Sequence, residues 1–168
     1  MTNGLMVEDT FRVLAIDPGR STGIVLVDQT GLILQSQLAT TPEQVLVAVA
    51  TITPSVVVIE DFVGAGPRTL DAIFTLKLIG GASAIAWLKR IQVVIQVPQA
   101  RTPLLTEAKR RADKGTSIHV VDAYAHALAF LERWQASVNA ASQRNLPVSP
   151  GGREAPGEAE RVPAPGEV

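Results

Sequence analysis

The most constraining feature of this chain is a run of four branched apolar residues, Val56 to Ile59, that ends in Glu60. A strand that lacks polar alternation is buried on both faces, which is typical of a central position in a sheet with parallel strands. Such a sheet needs helices packed on its faces. The run therefore predicts an α/β protein in which a carboxylate stands at the end of a central strand.

The rest of the chain fits a mixed five-stranded sheet flanked by helices. Strands are predicted at 12–17, 22–28, 32–38, 56–59 and 91–97, from apolar and β-branched runs bounded by turn residues. The first three are close enough in sequence to form an antiparallel meander, and the last two are expected to be parallel. Helices are predicted at 42–50 (with Thr41 as the N-cap), 69–88, 101–111 and, after Ser117 as its cap, up to about 136.

Length and composition limit the chain to one globular domain. Its 168 residues are 46% apolar and 18% charged, which suits one core but not two ordinary domains. We expect an extension at 1–10, a folded domain at 11–136 and a Pro/Gly-rich, disordered tail at 137–168. The apolar stretch 78–88 is too short to span a bilayer, and the N-terminus does not resemble a signal peptide. Without cysteine there is no thiolate site, and we expect a cytoplasmic protein with no membrane association.

Three carboxylates fall where this fold would bring them together. Asp17 ends the first strand before a Pro-Gly turn, Glu60 ends the central strand, and Asp122 lies one turn into the last helix among apolar residues. Taken singly, these are ordinary positions for a turn, a strand end or a first-turn acid. Clustered acids raise one another's pKa, and a common reason to keep them is a pair of divalent ions that hold a phosphodiester.

Two histidines share the last helix with Asp122. His119 lies three residues before Asp122, so both side chains project from one face near the start of the helix, where His119 can reach solvent and a metal ion. His126 lies four residues after Asp122 among Ala and Leu residues, and we expect it to be a core histidine.

The net charge of −1 conceals a basic segment. Between Arg68 and Lys114 there are nine basic residues and three acidic ones. A local excess of this kind can attract a phosphate backbone, although a solvated helix surface would explain it equally well.

Together, the blocks Ile16–Gly23, Ile59–Phe62 and His119–Ala123 resemble the RNase H-like nucleases and, within them, the RuvC family of Holliday-junction resolvases. The resemblance covers about residues 11 to 135, and the short length is more similar to phage-type or diverged relatives. It implies an RNase H-like fold and a homodimer that makes paired, symmetric nicks in four-way DNA junctions. The dimer would form on the predicted helix 69–88, which is apolar on more than one side and carries Gly80-Gly81.

The resemblance also assigns roles to residues. It implies two Mg²⁺ or Mn²⁺ ions per site, with Asp17 bridging both, Glu60 and Asp122 each holding one, and His119 replacing an acid often found there. Phe62 lies near the position of an aromatic residue that helps to open the junction, although a buried core phenylalanine is an equal alternative. We expect DNA contacts from Arg20, Phe62, Arg68, Lys77, Arg101, Lys109, Arg110, Arg111 and Lys114.

Other functions remain open on the sequence. The same motifs would suit an RNase H-like nuclease acting on forks, flaps or RNA hybrids, and they do not separate these substrates. A non-catalytic nucleic-acid-binding relative is disfavoured because the carboxylates are all present. Actin-like and sugar-kinase ATPases share the Asp-x-Gly strand but need a duplicated fold of about twice this length.

Overall fold

The computed structural model describes residues 11–62 and 70–144. A five-stranded sheet has the strand order β3-β2-β1-β4-β5. The strands are β1 (Arg12–Asp17), β2 (Thr22–Asp28), β3 (Ile33–Ala39), β4 (Val56–Glu60) and β5 (Gln92–Gln96). The helices are α1 (Pro42–Thr51), α2 (Leu70–Leu88), α3 (Leu105–Arg111) and α4 (Ile118–Arg144), and a 3₁₀ segment, Pro98–Leu104, precedes α3.

The mixed sheet expected from the sequence is confirmed. Strands β1, β2 and β3 pair in antiparallel fashion, whereas β4 is parallel to both β1 and β5. All five residues of β4 are buried, as an inner strand that is covered on both faces requires. Thr41 caps α1 and exchanges hydrogen bonds with Gln44 in a capping box, which confirms the predicted helix start.

Alternate residues of each strand supply two separate cores. Val13 and Ala15 of β1 face a core formed with α3 and α4, whereas Leu14 and Ile16 face a core formed with α1 and α2. This period of two places Asp17 on the same side as Val13, towards α4. Glu60 is two residues beyond Val58, which faces α4 in the same way, so it too points towards α4.

Two predicted helices differ from the structure. The segment 101–111 is not one helix, because Pro103 lies within a 3₁₀ segment and the α-helix begins only at Leu105. The last helix, predicted to end near 136, continues to Arg144, so residues 137–144 of the expected tail are helical. These eight residues are exposed. Extending an existing helix needs no new nucleus, so the lack of buried side chains did not end it.

Helix α2 is apolar on two sides. Leu78, Ala82 and Ala86 pack into the α1–α2 core, whereas Leu76 and Trp87 are exposed. The whole of α2 is long and apolar enough to cross a membrane by length and composition alone. The expectation based on the shorter stretch 78–88 therefore considered only part of the helix. A core helix of a soluble protein passes the same test, and the buried side of α2 accounts for part of its apolar character.

Candidate active site

Three polar side chains stand in a row at the carboxyl ends of neighbouring parallel strands. Ile16 pairs with Ile59, so Asp17 and Glu60 follow at the same level, and Glu60 pairs directly with Gln96 of β5. Ligands in open α/β sheets gather beyond this edge. The row brings the two predicted strand carboxylates together and adds an amide beside them.

Helix α4 lies over the row and contributes a matching set of side chains. His119, Asp122 and His126 are spaced three and four residues apart, so they lie along one face of the helix. His119 meets the β1 end of the row and His126 meets the β4 and β5 end.

At the β1 end, His119 Nδ1 lies 3.0 Å from Asp17 Oδ2. This approach depends on Gly23, which pairs with Asp17 across the β1–β2 ladder. A Cβ atom at Gly23 would lie 1.9 Å from the backbone oxygen of His119, so only glycine lets the first turn of α4 sit so close to the sheet.

At the β4 end, Glu60 is held between a guanidinium and an imidazole. Its Oε1 accepts a hydrogen bond from Arg101 Nη1 at 2.5 Å, and its Oε2 lies 3.1 Å from His126 Nε2. Arg101 also reaches Asp122, with Nη2 at 3.5 Å from Oδ2. One arginine therefore pairs with two of the three predicted carboxylate ligands.

The carboxyls of Asp17 and Glu60 titrate as a pair. Burial and the adjacent Glu60 raise the pKa of Asp17 to about 7, while His119 opposes the increase. Burial also disfavours ionised Glu60, but polar contacts from His126 and Asp17 and the positive charge of Arg101 outweigh it and lower the pKa of Glu60 to about 2. The pair thus holds one proton, which Asp17 keeps below about pH 7.

The donor chemistry of the site suits a divalent cation. Three carboxylates and an imidazole are available, and Glu60 Oε2 is buried without an aligned hydrogen-bond partner among the described residues. In their present arrangement, no three His, Asp or Glu side chains within 11–62 and 70–144 are placed to hold a metal ion. In this arrangement Arg101 is paired with both Glu60 and Asp122.

The predicted DNA-contacting residues are placed unevenly. Arg20 is exposed and pairs with Asp71, and Arg110 and Arg111 both pair with Glu107 on α3. Arg68 lies outside the described residues. The rest of this set that is exposed to solvent comprises Lys77, Lys109 and Lys114.

Phe62 follows β4 and is 39% exposed, so it is not the buried core residue that the sequence left as an alternative. Arg101, another member of this set, points into the carboxylate cluster, and its side chain is 22% exposed.

Two further site residues were not recognised in the sequence. Gln96 had no motif around it, although its place at the end of a predicted strand parallel to β4 was an available signal. His126 is fully buried, which confirms its assignment as a core histidine, but it also contacts Glu60 and Gln96. Its spacing from Asp122 was the one sign of that contact.

Comparison with known proteins yields matches by structure alone. No family model and no curated protein matches the sequence. The chain superposes on RuvC of Thermus thermophilus in complex with a Holliday junction substrate with a TM-score of 0.59 and 16% identity, over 76% of this chain and 97% of that one. A second Thermus thermophilus RuvC structure gives a TM-score of 0.57 and 18% identity, over 75% and 97%. The mixed sheet, its flanking helices and these superpositions show that the chain has the RNase H-like fold of RuvC.

Proposed function

We propose that this chain is a metal-dependent endonuclease that resolves four-way DNA junctions. The observation that carries the proposal is the convergence of Asp17 and Glu60, from adjacent strand ends, with His119 and Asp122 of α4. These elements are far apart in sequence and meet at the edge of the sheet where α/β proteins bind ligands. The RuvC-like fold supports junction DNA as the substrate class, and the carboxylates support hydrolysis.

Asp17, Glu60, Asp122 and His119 would hold two Mg²⁺ or Mn²⁺ ions. Bound ions of this kind activate a water nucleophile and stabilise the departing 3′ oxygen in an in-line displacement. Binding of the metal ions would require Asp17 to lose its proton and Arg101 to release Glu60 and Asp122. Once released, Arg101 is an available cation for a phosphate group beside the site.

The homodimer belongs to the same proposal. A four-way junction offers two equivalent strands, so paired incision calls for two sites related by a two-fold axis. The exposed apolar side of α2 is the surface on which we place the interface, and its exposed large apolar residues include Leu76 and Trp87. Gly80 is open there, whereas Gly81 packs against Leu46 of α1 and is part of the core between α1 and α2.

We place the protein in the cytoplasm, as a phage-type or diverged relative.

The direct test is cleavage of a four-way junction compared with duplex, fork and flap substrates of matched sequence, in Mg²⁺ and in Mn²⁺. The proposal expects paired nicks in the junction at a rate well above that for the linear duplex. Equal cleavage of forks and flaps would replace junction resolution with a broader nuclease function. The absence of cleavage in every substrate with either metal would contradict nuclease activity.

A further inference from the structure

We propose that His126 and Gln96 form a buried polar link that positions Glu60 for metal binding, an inference that rests on the proposed function. His126 is fully buried, yet both of its ring nitrogens face polar atoms. Nδ1 lies 2.8 Å from Gln96 Oε1, and Nε2 lies 3.1 Å from Glu60 Oε2. The link thus joins the ends of β4 and β5 through a side chain of α4.

Burying the polar side chains of His126 and Gln96 destabilises the fold unless they make polar contacts that serve a function. A buried polar group without a partner destabilises a fold by about 1–3 kcal/mol, so a histidine enclosed among alanines and leucines would be replaced by an apolar residue if only packing were required. Its neighbours along α4, Ala125 and Ala127, are themselves completely buried in the core. Gln96 is also buried, with 3% exposure, so both members of the link stand where water does not satisfy them.

The contacts fix where the proton of the link must lie. If Nε2 presented a lone pair to Glu60, it would repel the carboxylate, so we place the proton on Nε2. Nδ1 then either donates to Gln96 Oε1 from an imidazolium or accepts from the amide after a half-turn of that group. Gln96 Nε2 is buried without a partner among the described residues, so the half-turn would give this donor an acceptor. Both arrangements keep a proton on Nε2.

The approach of Nε2 to Oε2 is short but not in line. Neither atom has an aligned hydrogen-bond partner within the part of the chain that the structure describes. The opposite oxygen, Oε1, is held by Arg101. We infer that Glu60 makes this unaligned contact with His126 because Arg101 holds its other oxygen. When Arg101 releases Glu60, the carboxylate can form an aligned hydrogen bond with His126. His126 is then a positioning residue, since it acts on a metal ion only through Glu60.

Isosteric variants separate the two ends of the link. In His126→Gln the side-chain amide nitrogen takes the place of Nε2 and keeps the donor to Glu60. In His126→Asn it takes the place of Nδ1 and keeps only the contact with Gln96. His126→Leu loses both. Tyr124→Phe is the control, because it removes a buried hydrogen bond to the Gly31 carbonyl from the same helix without touching the site.

The measurement is the dissociation constant for Ca²⁺, by isothermal titration calorimetry and by thermal shift, together with the melting temperature in EDTA. Loss of a partner that orients a ligand weakens metal binding by about 10–100-fold. We expect that loss in His126→Asn and His126→Leu, a smaller loss in His126→Gln, which keeps the donor to Glu60 but not the contact with Gln96, and a lower melting temperature but unchanged affinity in Tyr124→Phe. Cleavage by His126→Asn should recover at high Mg²⁺, with a raised metal requirement and a nearly unchanged maximal rate.

Each combination of Ca²⁺ affinity and cleavage supports or contradicts the positioning role of His126, the nuclease proposal, or both. Equal Ca²⁺ affinity in the Gln, Asn and Leu variants, with wild-type protein that binds Ca²⁺ and cleaves junctions, would overturn the positioning role and leave the nuclease proposal intact. If the variants show the expected order of Ca²⁺ affinities but the wild-type protein cleaves no substrate, the positioning role is supported and the nuclease proposal is refuted. Wild-type protein that neither binds Ca²⁺ nor cleaves would overturn both. A variant that fails to fold is replaced by Gln96→Leu, which cuts the link at its outer end and should weaken Ca²⁺ binding; unchanged affinity there would overturn the role.

Discussion

Gly23 lies directly against the backbone of His119, so closely that a Cβ atom at Gly23 would fall 1.9 Å from the His119 carbonyl oxygen and 2.6 Å from the next amide nitrogen. Backbone atoms on a packed helix have little freedom to move away. The contact therefore sets the height of α4 above the sheet, and with it the distance between His119 and Asp17.

Replacing Gly23 with alanine should push the first turn of α4 away from β1. Overpacking of a core costs about 1–3 kcal/mol, so Gly23→Ala should lower the free energy of unfolding by about 3 kcal/mol and reduce cleavage strongly. The control is Gly80→Ala on α2, where a Cβ meets nothing within 4 Å in the single chain, measured at a protein concentration low enough for the monomer to predominate. Alanine in an exposed helix interior stabilises by about 0.5–1 kcal/mol relative to glycine. Urea denaturation measures the free energy of unfolding of both variants. A Gly23→Ala protein as stable as the wild type would contradict the close approach of α4 to Gly23.

The raised pKa of Asp17 predicts a specific pH dependence in metal-free protein. The folded value of about 7 lies above the ordinary 3.8, so the proton on Asp17 stabilises the fold at low pH and this contribution is lost as the pH rises through about 7. Glu60 is already ionised above about pH 5 in either state, because its pKa is lowered. In EDTA, the stability of wild type relative to Asp17→Asn should therefore fall between about pH 4 and pH 7 and level off above this range.

Thermal melts of the two proteins across this pH range give the difference directly. Because Mg²⁺ displaces the same proton, its affinity for wild-type protein should rise over the same interval. A difference curve that is flat, or that rises with pH, would show that Asp17 is not the group that holds the proton.

Arg101 should compete with divalent cations for Glu60 and Asp122. Removing the guanidinium in Arg101→Gln leaves two adjacent carboxylates without their counter-charge, so Ca²⁺ affinity should increase several-fold while the melting temperature in EDTA falls. Arg110→Gln removes an arginine of equal charge whose partner is Glu107 on the exposed side of α3, and it should change neither quantity. Calorimetric titration with Ca²⁺ is the measurement; weaker Ca²⁺ binding by Arg101→Gln would mean that Arg101 orders the ligands instead of competing for them.

The dimer proposal predicts the effect of a charge at the open glycine of α2. Gly80→Arg should give a folded monomer that nicks junctions poorly and no longer makes paired cuts, because the apolar interface would then bury a guanidinium. Thr106→Arg adds the same charge on the exposed surface of α3 and should leave the assembly unchanged. Sedimentation at micromolar concentration reports the state. Wild-type protein that sediments as a monomer and still makes paired cuts would contradict the dimer.

The architecture and the carboxylates could be predicted because their signals are local. The apolar run 56–59 indicated a central strand, and Asp17 and Glu60 follow strands that end at the same edge of the sheet. Helical spacing then placed His119 with Asp122. The end of α4 was missed because exposed residues leave no burial pattern to read.

The polar partners of the site could not be predicted in the same way. Arg101 reaches Glu60 from a 3₁₀ segment, Pro98–Leu104, which has no periodicity that would show where its side chains point. His126 has apolar neighbours in sequence, and its polar partners lie on two strands that only the folded sheet brings beside it. These contacts depend on tertiary packing, so they became visible only in the structure.

The most direct test of the account is junction cleavage by the three carboxylate variants, Asp17→Asn, Glu60→Gln and Asp122→Asn, measured beside their affinity for the same uncleaved junction in Ca²⁺. Metal ligands act in the chemical step, whereas phosphate contacts from Lys and Arg supply most of the binding. We predict that each variant cleaves at less than a few per cent of the wild-type rate and binds the junction with nearly unchanged affinity. A variant that cleaves at close to the wild-type rate would remove its residue from the catalytic site, and full activity in all three would contradict the proposed nuclease centre.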